Sequence, residues 1–276
     1  MISSTLLLLA LSFFTPNTNA AVTKRAVTLL PANGKFDYQI GGAYTPASDV
    51  AVVTRDRTDS PVSGKYNICY VNAFQTQDGE QSFWQSSQND HLLLRKSNGD
   101  YFIDPDWPDE FILDTSTDAN RQELAAIVNG WIDGCQQKGF NAVEADNLDT
   151  FTRTNGLLSE SDNLAYAKLL ADHAHSIGLA FGQKNAGGEL EGQGKAQVGF
   201  DFAVAEQCQE FDECDSYTDV YGNQVLEIEY VNEDLPQDGL QNWEDACSAR
   251  GSEISVIYRD VKVSPPGSGS YVYQEC

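Results

Sequence analysis

The sequence predicts an α/β protein, a single-domain (β/α)8 TIM barrel, on three observations. Short apolar runs alternate with helix-period segments, the pattern of parallel strands joined by covering helices. About eight such runs fit within the chain, which suits one closed barrel. Several runs end in polar or acidic residues, and in a barrel those ends meet on one face. An open doubly wound sheet is the alternative architecture. Its phosphate loop is missing, because GQGKAQ at 192–197 lacks the third glycine of a dinucleotide fingerprint.

Residues 1–20 read as a signal peptide, which implies a secreted protein with no membrane span once it is removed. Leu6–Leu11 and Phe13-Phe14 are apolar but too short to cross a bilayer, and Ala20 closes a stretch of small residues. Lys24-Arg25 fits a dibasic processing site, so the barrel is assigned to 26–276.

FDYQIGGAY at 36–44 reads as the first strand, Ala51–Arg55 as the second and YNICYVNAF at 66–74 as the third. Residues 75–118 are irregular, with a short helix around Phe83, Trp84 and 91–94, a turn at 97–100 and a loop centred on Trp107. Asn120–Lys138 is the clearest helix. Leu124, Ile127, Val128, Trp131, Ile132 and Cys135 recur at helical spacing, Asn120 with Glu123 fits a cap, and Gly139 fits a stop. GFNAVEAD at 139–146 is the next strand. Ser159–Ser176 is a second helix, opened by Ser159 and Asp162 and closed by Gly178. His173 and His175 sit two apart and cannot share a helix face, so they read as surface and packing residues. Strands follow at 179–186, 200–208, 224–230 and 254–258, with a short helix at 241–250 and a Pro-, Gly- and Ser-rich tail.

The chain carries 41 acidic and 17 basic residues, for a net charge of −24. That excludes nucleic acid, whose phosphates need Lys and Arg, and suits a cationic partner. Six cysteines behind a signal peptide suggest disulfides, with about fifteen connectivities open. Cys208 and Cys214 are close enough to close a small loop, Cys276 can tie the tail to Cys247, and Cys69 and Cys135 remain. Neither zinc-ligand spacing nor a nucleotide loop is present, so no metal or other cofactor is expected. A monomer is expected.

The chemistry centres on 139–149. Phe140, Ala142, Glu144 and Asp146 share one strand face at period two. Two carboxylates at successive same-face positions repel unless cations, hydrogen bonds or chemistry compensate. Polar groups end five strands: Tyr70 and Asn72; Glu144, Asp146 and Asn147; Lys184 and Asn185; Glu206 and Gln207; Glu229 and Tyr230. The set lacks a histidine base, a GxSxG elbow and an HExxH pair. Two-carboxylate work remains, with glycoside hydrolysis its main example.

FDYQIGGAY, YNICYVNAF, GFNAVEADNLD, GQKNA at 182–186, FDFAVAEQCQEFDEC at 200–214 and LEIEY at 226–230 together resemble glycoside hydrolase family 114. These are the secreted endo-α-1,4-polygalactosaminidases. The resemblance implies a (β/α)8 barrel that cleaves α-1,4-linked galactosamine polymer, with Asp146 as nucleophile and Glu206 as acid/base. The expected partner is a cationic amino-sugar polysaccharide, whose ammonium groups suit an acidic site. Asp37, Glu144 and Glu229 are candidate amine contacts, although Glu144 can instead pair with Lys184. Tyr38, Tyr70, Tyr230 and Trp107 are candidate stacking surfaces. The alternatives are a non-catalytic binder of cationic glycan, or an α-galactosidase-like barrel acting on another sugar.

Overall fold

The computed structural model describes residues 26–231 and 236–276, so the expected signal peptide and the dibasic site lie outside the described residues. Eight parallel strands follow one another in sequence order around a single sheet: β1 (Phe36–Tyr38), β2 (Val52–Asp56), β3 (Tyr66–Asn72), β4 (Ala142–Asp146), β5 (Ala180–Lys184), β6 (Phe202–Glu206), β7 (Val225–Tyr230) and β8 (Ser255–Arg259). The expected barrel is present.

The sheet's ends meet through side chains. Ser255 Oγ donates to the Gly34 carbonyl, and an Arg259 guanidinium nitrogen donates to the Tyr38 carbonyl. A ninth strand, β9 (Tyr273–Glu275), pairs antiparallel to β8, and its Tyr273 hydroxyl donates to the Phe36 carbonyl at 2.8 Å. The Cys247–Cys276 disulfide ties its end to the last helix. Cys69–Cys135 and Cys208–Cys214 complete the disulfides, as the sequence spacing suggested.

Seven α-helices are described: α1 (Gln81–Trp84), α2 (Asp118–Lys138), α3 (Thr150–Arg153), α4 (Glu160–Ile177), α5 (Gly187–Leu190), α6 (Asp215–Tyr221) and α7 (Pro236–Arg250). None lies between β1 and β2 or between β2 and β3, so the coat departs from a regular eight-helix ring there. The first strand stops at Tyr38, earlier than expected. Gly41 lies so close to the Lys262 and Val263 carbonyls that a Cβ would fall 2.4 Å from oxygen. The α2 cap is Thr117, whose side chain accepts the Asn120 N–H, in place of the expected Asn120–Glu123 pairing. Helix α4 carries the full Ser159–Asp162 capping box.

Strand alternation sorts the core into two layers. Phe36, Ile68, Phe202, Val204, Ile228 and Ile257 fill the barrel interior. Val143, Phe181 and Ala203 face outward onto α2 and α4, against Leu124, Val128, Ala167 and Leu170. Gly182 is required by the first layer, because a Cβ there would meet the Phe202 ring at 2.5 Å. Strand parity therefore decides which strand-end residues see the interior.

Candidate active site

On β4, Ala142 packs in the interior, and the same face carries Glu144 and then Asp146. Pairing with β3 sets Tyr70 opposite Glu144 and Asn72 opposite Asp146. Just past β4, β5 and β6 the chain turns through left-handed residues: Asn147 (φ 67°), Asn185 (φ 51°) and Gln207 (φ 58°). Asn tolerates that region better than most residues. These turns end the strands at Asp146, Lys184 and Glu206.

Lys184 sits at the centre and is 2% exposed. Its Nζ lies 3.1 Å from Glu144 Oε1, 3.2 Å from Asp146 Oδ1 and 3.2 Å from Glu206 Oε2, and it donates to the Tyr38 hydroxyl at 3.0 Å. Tyr38 donates in turn to Glu144 Oε1 at 2.7 Å. Tyr70 donates to Asp146 at 2.5 Å, and Tyr230 to Glu206 at 2.6 Å. Asn185 Nδ2 donates to Glu206 Oε2 at 2.9 Å, while its Oδ1 accepts the Glu206 N–H. Each of the two proposed catalytic acids thus takes a phenol and a share of one ammonium.

The electrostatics follow from these contacts. Burial pushes the Asp146 carboxyl up, but Lys184, the Tyr70 hydroxyl and the Asn147 N–H outweigh it and hold the group below its usual range. Glu144 is buried more deeply, and desolvation lifts it to about 7 against the pull of Lys184. For Lys184 burial works downward, yet Asp146, Glu206 and Glu144 together hold it well above the ordinary lysine value. Burial raises Tyr38, Tyr70 and Tyr230 far above 10, so they stay protonated donors.

The group opens onto a cavity of about 870 Å³, walled by Tyr70, Asp146, Asn147, Lys184, Asn185, Glu206, Tyr230 and Trp107 among others. These expected residues come together. Trp107 stands 52% exposed on the wall. Tyr38, Glu144 and Asn72 lie beneath the lining; Asn72 accepts from Asn147 Nδ2 at 2.9 Å and donates to Glu110 at 3.1 Å. The anticipated Glu144 amine contact is thus replaced by its alternative, the Lys184 pairing.

Asp37 and Glu229 correct the expectation that they reach substrate. Each neighbours an inward tyrosine, Tyr38 or Tyr230, so period two turns it to the outer face. Asp37 accepts from Tyr44 and Gln39 at 2.5 and 2.8 Å. Glu229 accepts the Gln209 N–H at 2.9 Å, its Oε2 is unpartnered, and burial pushes it to about 8.

The 75–114 segment folds back through antiparallel bridges, Gln75 to Ile112 and Ile103 to Phe111. It brings Glu110, Asp104 and Trp107 to the wall, where burial lifts Glu110 to about 7. Arg153 secures this flank by donating to Asp104, Asp149, Gln75 and Asn147. Glu110 and Arg153 escaped the sequence reading because neither ends a strand. Among the described residues Cys208, Cys214 and Glu227 approach metal-ligand spacing, but the two sulfurs form a disulfide.

Two acids held by one buried cation, at the C-terminal face of a barrel and beside an open cavity, can support paired-carboxylate chemistry. Ega3 from Aspergillus fumigatus, solved in complex with galactosamine, superposes with a TM-score of 0.71 at 24% identity, over 92% of this chain and 100% of that one. The glycoside hydrolase domain of PelA from Pseudomonas aeruginosa gives 0.53 at 15% identity, over 85% and 96%. Both likenesses concern the fold. No match was found among curated protein sequences. The sequence profile of glycoside-hydrolase family GH114 covers residues 16–276, nearly the entire length, and on that match the chain belongs to glycoside-hydrolase family GH114.

Proposed function

We propose that the protein is a secreted endo-glycosidase that cleaves α-1,4-linked galactosamine polymers, with Asp146 as nucleophile and Glu206 as acid/base. The observation that carries this reading is the Asp146–Lys184–Glu206 arrangement in a member of GH114. The galactosamine in the Ega3 crystal supports the substrate class, as do the exposed acids Asp78 and Asp106 on the cavity wall. An ammonium sugar gains charge-assisted hydrogen bonds from such a wall. Trp107 supplies an apolar platform beside it. The three disulfides and the net charge of −24 suit secretion and a polycationic substrate.

Asp146, kept ionised by its contacts, attacks the anomeric carbon. Glu206 passes a proton to the departing oxygen, then takes one from the water that releases the sugar from Asp146. Asp146 Oδ1 and Glu206 Oε2 each lie 3.2 Å from one nitrogen, so their separation cannot exceed twice that distance. This favours the close spacing of retaining enzymes, about 5–5.5 Å between carboxyl groups.

Azide rescue tests the two roles. On an aryl α-glycoside of a galactosamine oligomer, whose phenolate leaves without protonation, Asp146→Gly with azide should give the β-glycosyl azide, and Glu206→Gly the α anomer. The opposite anomers would exchange the assignments, and no rescue in either variant would contradict the retaining reading.

A further inference from the structure

The chemistry assigned to Asp146 and Glu206 leaves Lys184, Glu144 and Tyr38 without a part. Lys184 contacts three carboxylates and a phenol at 3.0–3.2 Å, and its place is fixed from both sides. Glu144 and Tyr38 lie below the cavity and bond each other as well as the ammonium. Asp146 and Glu206 lie above, on the wall. A single cation between two catalytic acids can answer charge on either without moving.

We propose that Lys184, anchored by Glu144 and Tyr38, is a shared counter-ion that stabilises charge on Asp146 in the first half-reaction and on Glu206 in the second. The proposal rests on the nucleophile and acid/base reading above. In the first step an Asp146 oxygen bonds the anomeric carbon, the glycosidic C–O bond breaks, and the Glu206 proton goes to the leaving oxygen. Asp146 loses its charge to the ester and Glu206 gains one. In the second step water bonds the anomeric carbon, its proton goes to Glu206, and the Asp146–carbon bond breaks. The charge returns to Asp146. At each resting stage one of the two acids is anionic, and Lys184 stands 3.2 Å from both. Glu144 keeps the cation from collapsing onto whichever acid is charged.

Asp146 is also faced by Tyr70 from β3 and by Glu110 from the 75–114 segment, while Glu144 precedes it on its own strand. A test must therefore isolate Lys184 from these groups. Two readouts do so on the intact protein. The first is titration of the Asp146 carboxyl by carbon-13 NMR, assigned through Asp146→Asn, in wild type, Lys184→Met and Lys184→Arg. It needs no substrate. The proposal expects the Asp146 midpoint to rise by about 1–3 pH units in Lys184→Met, the usual effect of an opposite charge at this range, and by much less in Lys184→Arg. The second is the pH profile of kcat/KM on galactosamine oligomers. Its acidic limb should move upward in Lys184→Met together with an activity loss of about 10²–10³-fold, and Lys184→Arg should recover part of both.

An Asp146 midpoint unmoved in folded Lys184→Met overturns the proposal, as does an activity loss with an unmoved acidic limb. A wild type that binds no amino sugar and releases no product counts against the substrate reading alone. The NMR titration still decides whether Lys184 governs the charge on Asp146.

Discussion

Two cations are buried at the C-terminal ends of barrel strands, and their partners divide them. Lys184 ends β5 and Arg259 ends β8, and both are almost completely shielded from solvent. Arg259 donates to the carbonyls of Tyr38 and Ser264, with Asp37 and Asp260 carboxylates farther away at 3.7 and 3.8 Å. The rings of Tyr271 and Tyr273 lie 5.6 and 5.9 Å from its guanidinium carbon. It joins β1 to β8, between which no strand ladder runs. Lys184 has no backbone partner among its contacts, only side chains that carry or can carry charge, and it borders the cavity. Burial alone does not tell a structural cation from a working one. The chemistry of the acceptors does, because carbonyls fix geometry whereas carboxylates that gain and lose charge make the cation part of a reaction.

Substitution of the two cations should separate them. Arg259→Met leaves buried carbonyls unpaired and opens the β1–β8 seam, and should cost about 3–5 kcal/mol in denaturant unfolding. A loss below about 1 kcal/mol would remove Arg259 from the closure. Lys184→Met should lower kcat by about 10²–10³-fold and shift the unfolding midpoint less than Arg259→Met. Equal destabilisation by both variants would erase the distinction.

Glu229 sharpens the comparison from the acid side. Unlike Glu144 it makes no salt bridge among the described residues, and burial raises it from 4.5 to about 8 against a weak pull from Arg250. The unfolded chain therefore releases this proton at lower pH than the folded protein. This group withdraws stability progressively as pH rises from 4.5 to 8, and the cost is complete above that window. Glu229→Gln should flatten that part of the stability–pH curve and leave kcat unchanged. A drop in kcat would return Glu229 to the site. The smallest effect is expected at Trp107, where Ala should raise KM about fivefold, matching roughly 1 kcal/mol of ring contact, with kcat little altered. An unchanged KM would make Trp107 an ordinary exposed side chain.

The barrel was legible because strand and helix periods alternate in order, and the acids because β4 repeats Ala142, Glu144, Asp146 on one face. The misplaced residues came from treating a strand end as sufficient. Parity already separates Asp37 from Tyr38 and Glu229 from Tyr230, since only one of each pair can face inward. Arg259 did carry it, ending β8 on the same face as Ile257 but one residue past the strand read at 254–258, whereas Glu110 carried none. The role of Arg259 depends on which strand closes against which, and Glu110 reaches the cavity through antiparallel bridges that 75–114 does not announce by period. The tail strand was hidden because its pairing partner is β8, and its own three residues are too few to show alternation.

The most direct test is mass spectrometry of the products formed when the purified protein, beside its Asp146→Asn variant, is incubated with de-N-acetylated α-1,4 galactosaminan. Short galactosamine oligomers from the wild type and none from a folded Asp146→Asn are the expected result. Oligomers from both proteins, or intact polymer retained by both, would contradict the account.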